Sequence, residues 1–576
     1  MTTTYGSHRP PVMGTHHVIS SGHPLSAAAG YRLLEQGGNA VDAGVASGVV
    51  INVVLADNTN FGGVAPIMIY LAERRAVTTI SGLGRWPKAA SIEFFKNNCD
   101  GELPADIRRA VVPAAPDAWL TALQHYGTMT LEEVLTPALE IARDGYPLSP
   151  VVRNQFLGEV DAIARWPANR EIFLRGGEVP PAGTLIVQPA LARTFERLID
   201  VERKHAAQGR ETAIRAARDE FYRGDIAREM ARYSEEQGGL LRLEDFHDFS
   251  VKEEPHVRGT FRDYEILACG PWCQGPVVPQ TLQMLERDDL ASLGHNSADY
   301  IHLLAEVLNL SFSDRDYYFG DPDLVDVPMD ALMAQEYTRN RRERVDMRQA
   351  FGEMPSPGLI NDSTPWGRPE PRSGQSFRER ETDTSYTCVV DQWGNAFSAT
   401  PSDANARAPI APDLGFSLSG RGTQSWLDEN HASKLEPWKR PRLTPNPAIA
   451  FRDGKLFMPF GCPGGDAQCQ AMVQTFLNIA VFGMDAQTAI EAPRFTTWSF
   501  PDSFWPHDYL PGRLHVESRV ETAVTDELSD RGHDVRRVED WEPMDMGVMS
   551  AITVDPETSL LTGGADPRRD AYAIGR

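Results

Sequence analysis

The stretch ETDTSYTCVVDQWGNAFSAT, residues 381–400, contains two runs of strand-forming residues on either side of a turn. The first run, from Thr384 to Val390, alternates in the manner of a strand, and residues 391–395 supply turn-forming side chains. The pattern predicts a β-hairpin. Small hydroxyl side chains begin its first strand directly after the Arg-rich segment SFRERETD, residues 376–383. We therefore ask whether this is an ordinary hairpin or the buried start of a second polypeptide.

The segment before the hairpin is rich in linker-forming residues. Pro, Gly, Ser and Arg dominate residues 350–380. Such a composition predicts an exposed and flexible segment, because few of its side chains can be buried in a core. A cleavable linker in front of a hydroxyl-led strand would be consistent with a processed chain.

Helical signals precede this segment. Residues 23–50 predict two closely packed helices, separated by Gly37 and Gly38, with Asn39 as the second N-cap. Another helix is predicted from Thr130 to Gly145, and residues 150–350 are predicted to be mostly helical. Strands follow the hairpin, and a further helix is predicted over residues 466–483. Helices and strands in separate runs favour an α+β protein.

Composition and charge narrow the classes of partner and compartment. The 576 residues carry 56 basic and 80 acidic side chains, a formal net charge of −24. This charge argues against nucleic acid or an anionic membrane as a partner and favours a small-molecule substrate.

We find no signal-peptide pattern and no apolar run of transmembrane length, which favours a cytoplasmic protein. Cys269 and Cys273 have no matching pair nearby, so we expect reduced thiols and no metal site.

Seven segments of the chain occur in an order that is typical of one known family. They are GHPLSAAAGYRLLEQGGNAVDA, HYGTMTLEEVLTPALEIARDGYPLS, GGLLRLEDF, AEVLNLSFSDRDYYFGDPD, TSYTCVVDQWGNAFSAT, PFGCPGGDAQ and GGADPRRDAYAIG. Over nearly the whole chain, the sequence resembles the γ-glutamyltranspeptidase family of N-terminal-nucleophile hydrolases. The resemblance implies a four-layer αββα sandwich, made as one precursor and cut into two subunits. We expect a large subunit of residues 1–383, a small subunit of residues 384–576, no cofactor, and, as one assembly, a homodimer of processed heterodimers.

A cut between Asp383 and Thr384 would give Thr384 both a hydroxyl nucleophile and a free α-amine. Such an amine titrates at about pH 7.7 to 8.0, so it can act as the general base for its own hydroxyl. The resemblance implies a second hydroxyl, from Ser402, that hydrogen-bonds at the nucleophile. Without that resemblance, Thr384 would be an ordinary strand threonine and Ser402 an ordinary turn serine.

Gly464 and Gly465 stand before the predicted helix that begins near residue 466. Adjacent glycines in such a position let two backbone N–H groups point at a developing oxyanion without obstruction by side chains. The alternative is a tight turn between a strand and a helix. We expect Cys388 and Cys462 to be small packing residues rather than nucleophiles, since nothing nearby in the sequence would lower their pKa.

Three positions depart from the substrate-recognition pattern of the family. Ile92 stands where transpeptidases hold the arginine that binds the substrate α-carboxylate. Gln424 replaces the acidic residue that meets the α-ammonium, and Leu443-Thr444 replaces paired serines. The three departures together place γ-glutamyl specificity in doubt.

Two arginines are candidates for recognising a different anion. Arg421 shares a segment with Gln424, and Arg85 lies in GLGRWP, which approaches the pocket in the family. A guanidinium fork suits a carboxylate. The alternative for both arginines is a structural ion pair.

These observations favour a self-processing amidohydrolase that cleaves a small amide or acyl-amide through an acyl-enzyme. Thr384, Ser402, Gly464 and Gly465 would form the catalytic group, with substrate recognition by Arg421, Gln424, Thr444 and Arg85. One alternative is a γ-glutamyl transferase or glutathione hydrolase whose recognition residues lie elsewhere. A second alternative, from a different class, is an unprocessed scaffold that keeps the fold without turnover.

Overall fold

Two seven-stranded antiparallel sheets stack face to face, and helices cover the outer face of each sheet. This computed structural model describes residues 7–360 and 383–576. The four layers confirm the expected α+β fold of the αββα type. No helix in the described ranges is both long and apolar enough to cross a membrane.

The strands of the described residues range from two to seven residues in length. They are β1 (Val12–Gly14), β2 (Val18–Ser21), β3 (Ile67–Leu71), β4 (Ala76–Ile80), β5 (Tyr146–Pro147), β6 (Leu185–Ile186), β7 (Glu253–Glu254), β8 (Val257–Phe261), β9 (Tyr264–Ala268), β10 (Thr387–Val390), β11 (Ala396–Ala399), β12 (Ala448–Arg452), β13 (Lys455–Gly461), β14 (Phe495–Thr497), β15 (Arg513–Glu517), β16 (Asp534–Val538), β17 (Ser550–Val554), β18 (Leu561–Ala565) and β19 (Tyr572–Gly575).

The α-helices of the described residues are concentrated before residue 343. They are α1 (Pro24–Glu35), α2 (Ala40–Val54), α3 (Ile92–Asn98), α4 (Ala115–Tyr126), α5 (Leu131–Asp144), α6 (Pro150–Gly158), α7 (Val160–Ala164), α8 (Pro167–Phe173), α9 (Pro189–His205), α10 (Arg210–Arg223), α11 (Asp225–Glu236), α12 (Leu243–Asp248), α13 (Val277–Met284), α14 (Leu290–Leu293), α15 (Ala298–Tyr318), α16 (Met329–Leu332), α17 (Gln335–Arg342), α18 (Ala467–Ala480), α19 (Ala486–Glu491), α20 (Thr522–Asp530) and α21 (Pro543–Met546). Three short 3₁₀ helices span Ile107–Arg109, Ala206–Gln208 and Arg421–Gln424.

The first sheet has the strand order β19-β2-β10-β11-β3-β4-β7, and the second has the order β1-β18-β17-β13-β12-β9-β8. Strands β10 and β11, which form the predicted hairpin, therefore lie in the middle of the first sheet. Apolar side chains from both sheets meet between them, including Met68, Val390, Ile449 and Ile552. Because the hairpin is covered by the second sheet on one face and by helices on the other, all four residues of β10 are buried.

Helices α1 and α2 cover the first sheet and begin and end where the sequence predicts. Gly37, with a φ of +92°, follows α1, and Asn39 caps α2 in a reciprocal capping box with Asp42. The predicted close packing of the two helices is confirmed as well, because a Cβ at Gly30 in α1 would lie 2.8 Å from the Ala43 carbonyl oxygen in α2, and a Cβ at Gly44 would lie 2.1 Å from Phe397 Cδ1 in β11. Helix α2 can therefore lie directly against the hairpin.

The other predicted helices are confirmed too. Thr130 forms a capping box with Glu133 at the start of α5, and Gly145, with a φ of +90°, ends it. Helix α18 starts one residue after Asp466. The exposed segment predicted for residues 350–380 lies outside the described residues from position 361 onward.

The hairpin itself is confirmed, with one correction to its start. Residues Thr387 and Ala399 pair at the open end, and Asp391 Oδ1 accepts hydrogen bonds from the Trp393 and Asn395 amides, both at 2.9 Å, in the turn. The first strand begins at Thr387 rather than at Thr384. Residues 384 and 385 leave the ladder because their amides donate to carbonyls outside the sheet.

Candidate active site

Thr384 is fully buried and its backbone adopts a positive φ of +101°. Its amide donates to the Asn58 carbonyl at 2.8 Å, just after α2, and the Ser385 amide donates to the Pro401 carbonyl at 2.9 Å, just after β11. A β-branched residue rarely adopts such a φ, because its Cβ crowds the backbone. The protein therefore holds an unfavourable backbone conformation at the predicted cleavage site.

The hydroxyl of Thr384 is paired with that of Ser402. Their Oγ atoms are 2.5 Å apart, and both side chains are buried. Ser402 is fixed by its own amide, which donates to the Val64 carbonyl at 3.0 Å. The structure thus brings together the two hydroxyls that the sequence analysis selected.

Asp383 and Arg421 complete a buried network around these hydroxyls. Arg421 Nη2 lies 2.6 Å from Asp383 Oδ2 and also donates to Ser402 Oγ. Asp383 Oδ1 accepts from the hydroxyls of Thr384 and Ser402, each at 3.3 Å. The side chain of Arg421 is 1% exposed and that of Asp383 is 7% exposed. Because charge-assisted hydrogen bonds are the stronger class, this ion pair fixes the residue before Thr384 in place.

The guanidinium of Arg421 has further bonding capacity. Its Nε and Nη1 atoms are buried without a hydrogen-bond partner among residues 7–360 and 383–576. The Phe504 ring lies beside it, with 5.5 Å between the ring centroid and Cζ. A buried donor without a partner is costly, so this cation is suited to receive an additional acceptor.

Asp403 lies in the same region and faces the positive charge of Arg421. Ser419 Oγ donates to Asp403 Oδ2 at 2.6 Å. Burial raises the pKa of Asp403 to about 6, and the negative charge of Asp383 adds to the rise, while Arg421 opposes it. The site therefore contains two carboxylates around one buried guanidinium.

Gly464 and Gly465 have φ values of +120° and +56° and lead into α18. Within the described ranges, neither glycine amide donates a hydrogen bond. A small, narrow cleft is lined by Gly464 and Asp383, together with Asn58, Pro463, Pro543, Val548 and Arg569. This cleft brings the glycine turn to the same place as the predicted scissile bond.

A set of buried polar side chains holds the glycine turn. Gln274 Nε2 donates to the Gly465 carbonyl and to the Thr444 carbonyl, both at 2.9 Å. Arg315 Nη1 donates to Gln274 Oε1 at 3.0 Å and pairs with Asp466. Because these groups are buried and mutually bonded, the turn is held by long-range contacts as well as by its own backbone.

Gln424 and Thr444 are also brought together near this turn. Gln424 Nε2 donates to Thr444 Oγ1 at 2.9 Å, and both side chains are fully buried. Within the described part of the chain, Gln424 Oε1 has no hydrogen-bond partner. This pair is neutral and polar. By the family resemblance, transpeptidases have an acidic residue and paired serines at these positions.

Arg85 and Ile92, two other positions considered in the sequence analysis, contact groups outside the site. Arg85 Nη1 donates to Asp321 at 3.2 Å and to the Trp438 carbonyl at 2.8 Å, and Nη2 pairs with Asp323, which is the structural alternative considered for this arginine. Ile92, the first residue of α3, packs in an apolar cluster with Trp86 and Phe95. We therefore leave both residues out of the site.

Sequence reasoning missed Asp57, Asn58 and Arg569. Arg569 pairs with Asp57 and donates to Asn58 Oδ1 at 3.3 Å, and the Asn58 carbonyl holds the Thr384 amide. The available signal was the DPRR run at residues 566–569, which was used only as part of a resemblance. Arg569 of this run fixes the loop that follows α2.

The thiols near the site are poor nucleophiles. Cys388 and Cys462 are fully buried, and burial raises the pKa of Cys462 to about 12. In the described ranges, no group of three or more His, Cys, Asp or Glu side chains is arranged to hold a metal ion.

Comparison with known proteins identifies the family of this chain. A family model described as gamma-glutamyltranspeptidase matches residues 26–576. The chain belongs to this family. Membership supports a self-processing amide hydrolase or acyltransferase.

Individual members of the wider group cover nearly the whole chain. The glutathione hydrolase-like YwrD proenzyme of Bacillus subtilis (strain 168) is 32% identical over 98% of this chain and 99% of its own length. The oxamate amidohydrolase proenzyme of Klebsiella pneumoniae subsp. pneumoniae is 26% identical over 98% of this chain and 99% of its own. The solved structure of cephalosporin acylase from Bacillus halodurans has a TM-score of 0.84 at 25% identity, covering 100% of this chain and 98% of that one. The names of these similar proteins therefore refer to several different substrates.

Proposed function

We propose that this protein is a self-processing amidohydrolase whose nucleophile is Thr384. The precursor is cut between Asp383 and Thr384 into chains of 383 and 193 residues. The mature enzyme then hydrolyses a small amide whose acyl part carries a carboxylate.

The observation that carries this proposal is the buried contact of 2.5 Å between Thr384 Oγ1 and Ser402 Oγ. A threonine with a purely structural role does not require the combination of a positive φ, a hydroxyl partner and an adjacent ion pair. Backbone strain at a position that the surrounding structure over-determines is typical of functional sites. The relatives named as proenzymes support processing of the chain.

Self-cleavage requires attack of Thr384 Oγ on the carbonyl carbon of Asp383. The Oγ–C bond forms, the bond to the Thr384 nitrogen breaks, and that nitrogen receives a proton to become the free α-amine. Water then hydrolyses the resulting ester, which releases the Asp383 carboxylate and restores the hydroxyl. Ser402 and Asp383 Oδ1, both within hydrogen-bonding reach of Thr384 Oγ1, can accept or relay the hydroxyl proton.

Turnover of a substrate repeats this chemistry with the α-amine as general base. Thr384 Oγ attacks the amide carbonyl, the amine takes its proton and passes it to the leaving amine, and water resolves the acyl-enzyme. The Gly464 and Gly465 amides supply the hydrogen bonds that stabilise the tetrahedral oxyanion. Their freedom from other acceptors within the described ranges supports this role.

Arg421 is the group that we assign to the substrate carboxylate. It is buried, and its Nη2 donates to Ser402 Oγ, one of the two paired hydroxyls. The relative named oxamate amidohydrolase supports a substrate that combines an amide and a carboxylate. Gln424 and Thr444 would form a neutral wall of the same pocket.

Glutathione hydrolysis is the second candidate, and the name of the Bacillus subtilis relative favours it. A γ-glutamyl group carries an α-carboxylate and an α-ammonium, which both need partners when they leave water. Gln424 offers no negative charge to the ammonium, and Ile92 packs in an apolar cluster. The amidohydrolase is therefore the function that the site supports best.

Intact-mass analysis and N-terminal sequencing test the proposal. We expect a small subunit that starts at Thr384, and a single uncut and inactive chain for Thr384→Ala. Thr387→Ala is the matched control, because Thr387 is a buried threonine three residues along, bonded to Ser47 at 2.9 Å rather than to the site. This control should be cut normally. A small subunit with another first residue, or full activity without a cut, would reject the proposal.

A further inference from the structure

In the uncut chain, the carboxylate on Arg421 belongs to the acyl part of the scissile bond. Asp383 contributes the carbonyl carbon that Thr384 attacks, and its side chain places Oδ2 at 2.6 Å from Arg421 Nη2. In the uncut protein, Asp383 is therefore the first acyl donor, and its side-chain carboxylate already contacts Arg421, the proposed recognition cation.

We propose that the mature site prefers monoamides of four-carbon dicarboxylic acids, that is, succinyl-type acyl groups. Between the carbonyl carbon of Asp383 and its carboxylate carbon lie two carbons, Cα and Cβ. A succinyl monoamide has the same spacing, so its carboxylate reaches Arg421 when its carbonyl lies at Thr384 Oγ1. The inference rests on the proposed function, because it takes Thr384 as the nucleophile of both reactions.

Distances in the site limit the length of the acyl group. Arg421 Nη2 contacts Ser402 Oγ, which lies 2.5 Å from Thr384 Oγ1, so the cation is two hydrogen bonds away from the nucleophile. A longer dicarboxylate would have to fold back to place its carbonyl at Oγ1. A shorter one could not span from the carbonyl to the position of Asp383 Oδ2.

The pocket is built for a buried carboxylate. Arg421 is 1% exposed, and its Nε and Nη1 atoms have no partner within the described ranges. The inference takes the side chain of Asp383 to leave Arg421 once the chain is cut. Burying an unpaired guanidinium is strongly unfavourable, so the vacated position would favour another carboxylate. The Phe504 ring beside Arg421 adds an apolar surface for the methylene carbons.

The reaction needs water as its one co-reactant. The Oγ–acyl bond forms as the amide C–N bond breaks, and the α-amine transfers the hydroxyl proton to the departing amine. Water then breaks the ester, which yields succinate and returns Thr384 to its free hydroxyl. Succinate is thus a product that should bind with one carboxylate on Arg421.

Binding of oxalate, malonate, succinate and glutarate to the processed protein tests the inference by calorimetry, without turnover. We expect succinate to bind about tenfold more tightly than malonate or glutarate, a difference of about 1.4 kcal/mol. The uncut Thr384→Ala protein is the matched control, because its Asp383 remains covalently next to Arg421. Succinate should bind to it at least about tenfold more weakly. Equal binding to the cut and uncut proteins, or no preference among the four acids, would overturn the inference.

Hydrolysis of succinamate, malonamate and glutaramate supplies a second measurement. We expect the largest kcat/KM for succinamate, by about tenfold. Failure of the proposed function has a different signature, because the purified protein would then lack a chain that starts at Thr384. A protein that is cut there, hydrolyses other amides and shows no preference for the four-carbon acid contradicts only the present inference.

Discussion

Arg421 Nη2 lies 2.6 Å from Asp383 Oδ2, so a buried ion pair joins the residue before the proposed scissile bond to the proposed small subunit. The same nitrogen contacts Ser402, which pairs with Thr384. Orientation of the peptide bond and recognition of a carboxylate thus depend on one guanidinium.

Replacement of Asp383 by Ala should slow self-cleavage at least about tenfold, because the peptide loses the contact that orients it. Its effect on stability is best measured in an uncut background, by comparing Thr384→Ala with the Asp383→Ala, Thr384→Ala double variant. Loss of one partner from a buried ion pair typically costs about 3 to 5 kcal/mol, so denaturant unfolding should show a large difference. Asp413→Asn removes an exposed partner of Arg232 and should change little. Unchanged cleavage kinetics in Asp383→Ala would contradict the positioning role.

Substitution of Gly465 by Ala should lower kcat by about 10²- to 10³-fold in the processed enzyme, because it disturbs an oxyanion donor. The added Cβ would lie 3.6 Å from Phe504 Cε2, which leaves room for it, but the φ of +56° is strained for alanine. Gly483→Ala controls for strain alone, since Gly483 has a φ of +66° and no atom within 4 Å of an added Cβ. We expect near-normal kcat for this control. Equal losses in the two variants would argue against an oxyanion role.

Asp403 predicts a specific dependence of stability on pH. Burial raises its folded-state pKa to about 6 from an ordinary value of 3.8, so the folded protein binds this proton more tightly than the unfolded chain does. Ionisation of Asp403 therefore removes stability as the pH rises through this window, and the penalty is fully present above pH 6.

In the uncut Thr384→Ala background, Asp403→Asn should gain stability relative to its parent between pH 4 and pH 7. The gain is at most about 3 kcal/mol, from the size of the pKa difference. Denaturant unfolding at several pH values measures it. A constant offset for Asp403→Asn would show that its carboxyl has an ordinary pKa.

The neutral pair of Gln424 and Thr444 predicts poor use of γ-glutamyl substrates. A lost hydrogen bond to a charged group costs roughly 1.5 to 3 kcal/mol. Loss of one such bond to the α-ammonium, where Gln424 stands, and of one to the α-carboxylate, where Ile92 stands, should therefore reduce kcat/KM by about two to four powers of ten. Side-by-side kinetics of L-γ-glutamyl-p-nitroanilide and the matching glutaryl anilide, which lacks the α-amine, measure this. Efficient turnover of the L-γ-glutamyl compound, with no gain when the amine is removed, would favour the glutathione hydrolase alternative.

The local elements of this fold could be predicted from the sequence. Caps at Asn39 and Thr130, the glycines after α1 and α5, and the hairpin turn at Asp391 all depend on side chains within a few residues of the backbone groups they bond. Such short-range signals survive in the sequence pattern. The pairing of Thr384 with Ser402 was anticipated through the family resemblance, and the hairpin that separates them carries that spacing.

Only the tertiary structure decided which partners the charged residues take. The sequence offered both Arg421 and Arg85 as candidates for an anion, with a structural ion pair as the alternative, yet Arg421 pairs with Asp383 beside the nucleophile and Arg85 with Asp321 and Asp323. The start of β10 was likewise mispredicted, because the Thr384 and Ser385 amides donate to carbonyls of distant loops.

The ion pair between Arg569 and Asp57 illustrates why such partners could not be predicted, because the two residues lie 512 positions apart in the chain. Periodicity and capping report interactions within a turn or a strand, whereas a buried ion pair is chosen by how whole layers pack. A buried charge must find a partner wherever packing places one. The sequence pattern by itself therefore determined the hairpin and the helices, the family resemblance supplied the hydroxyl pair, and the packing of the four layers determined which arginine meets the scissile residue.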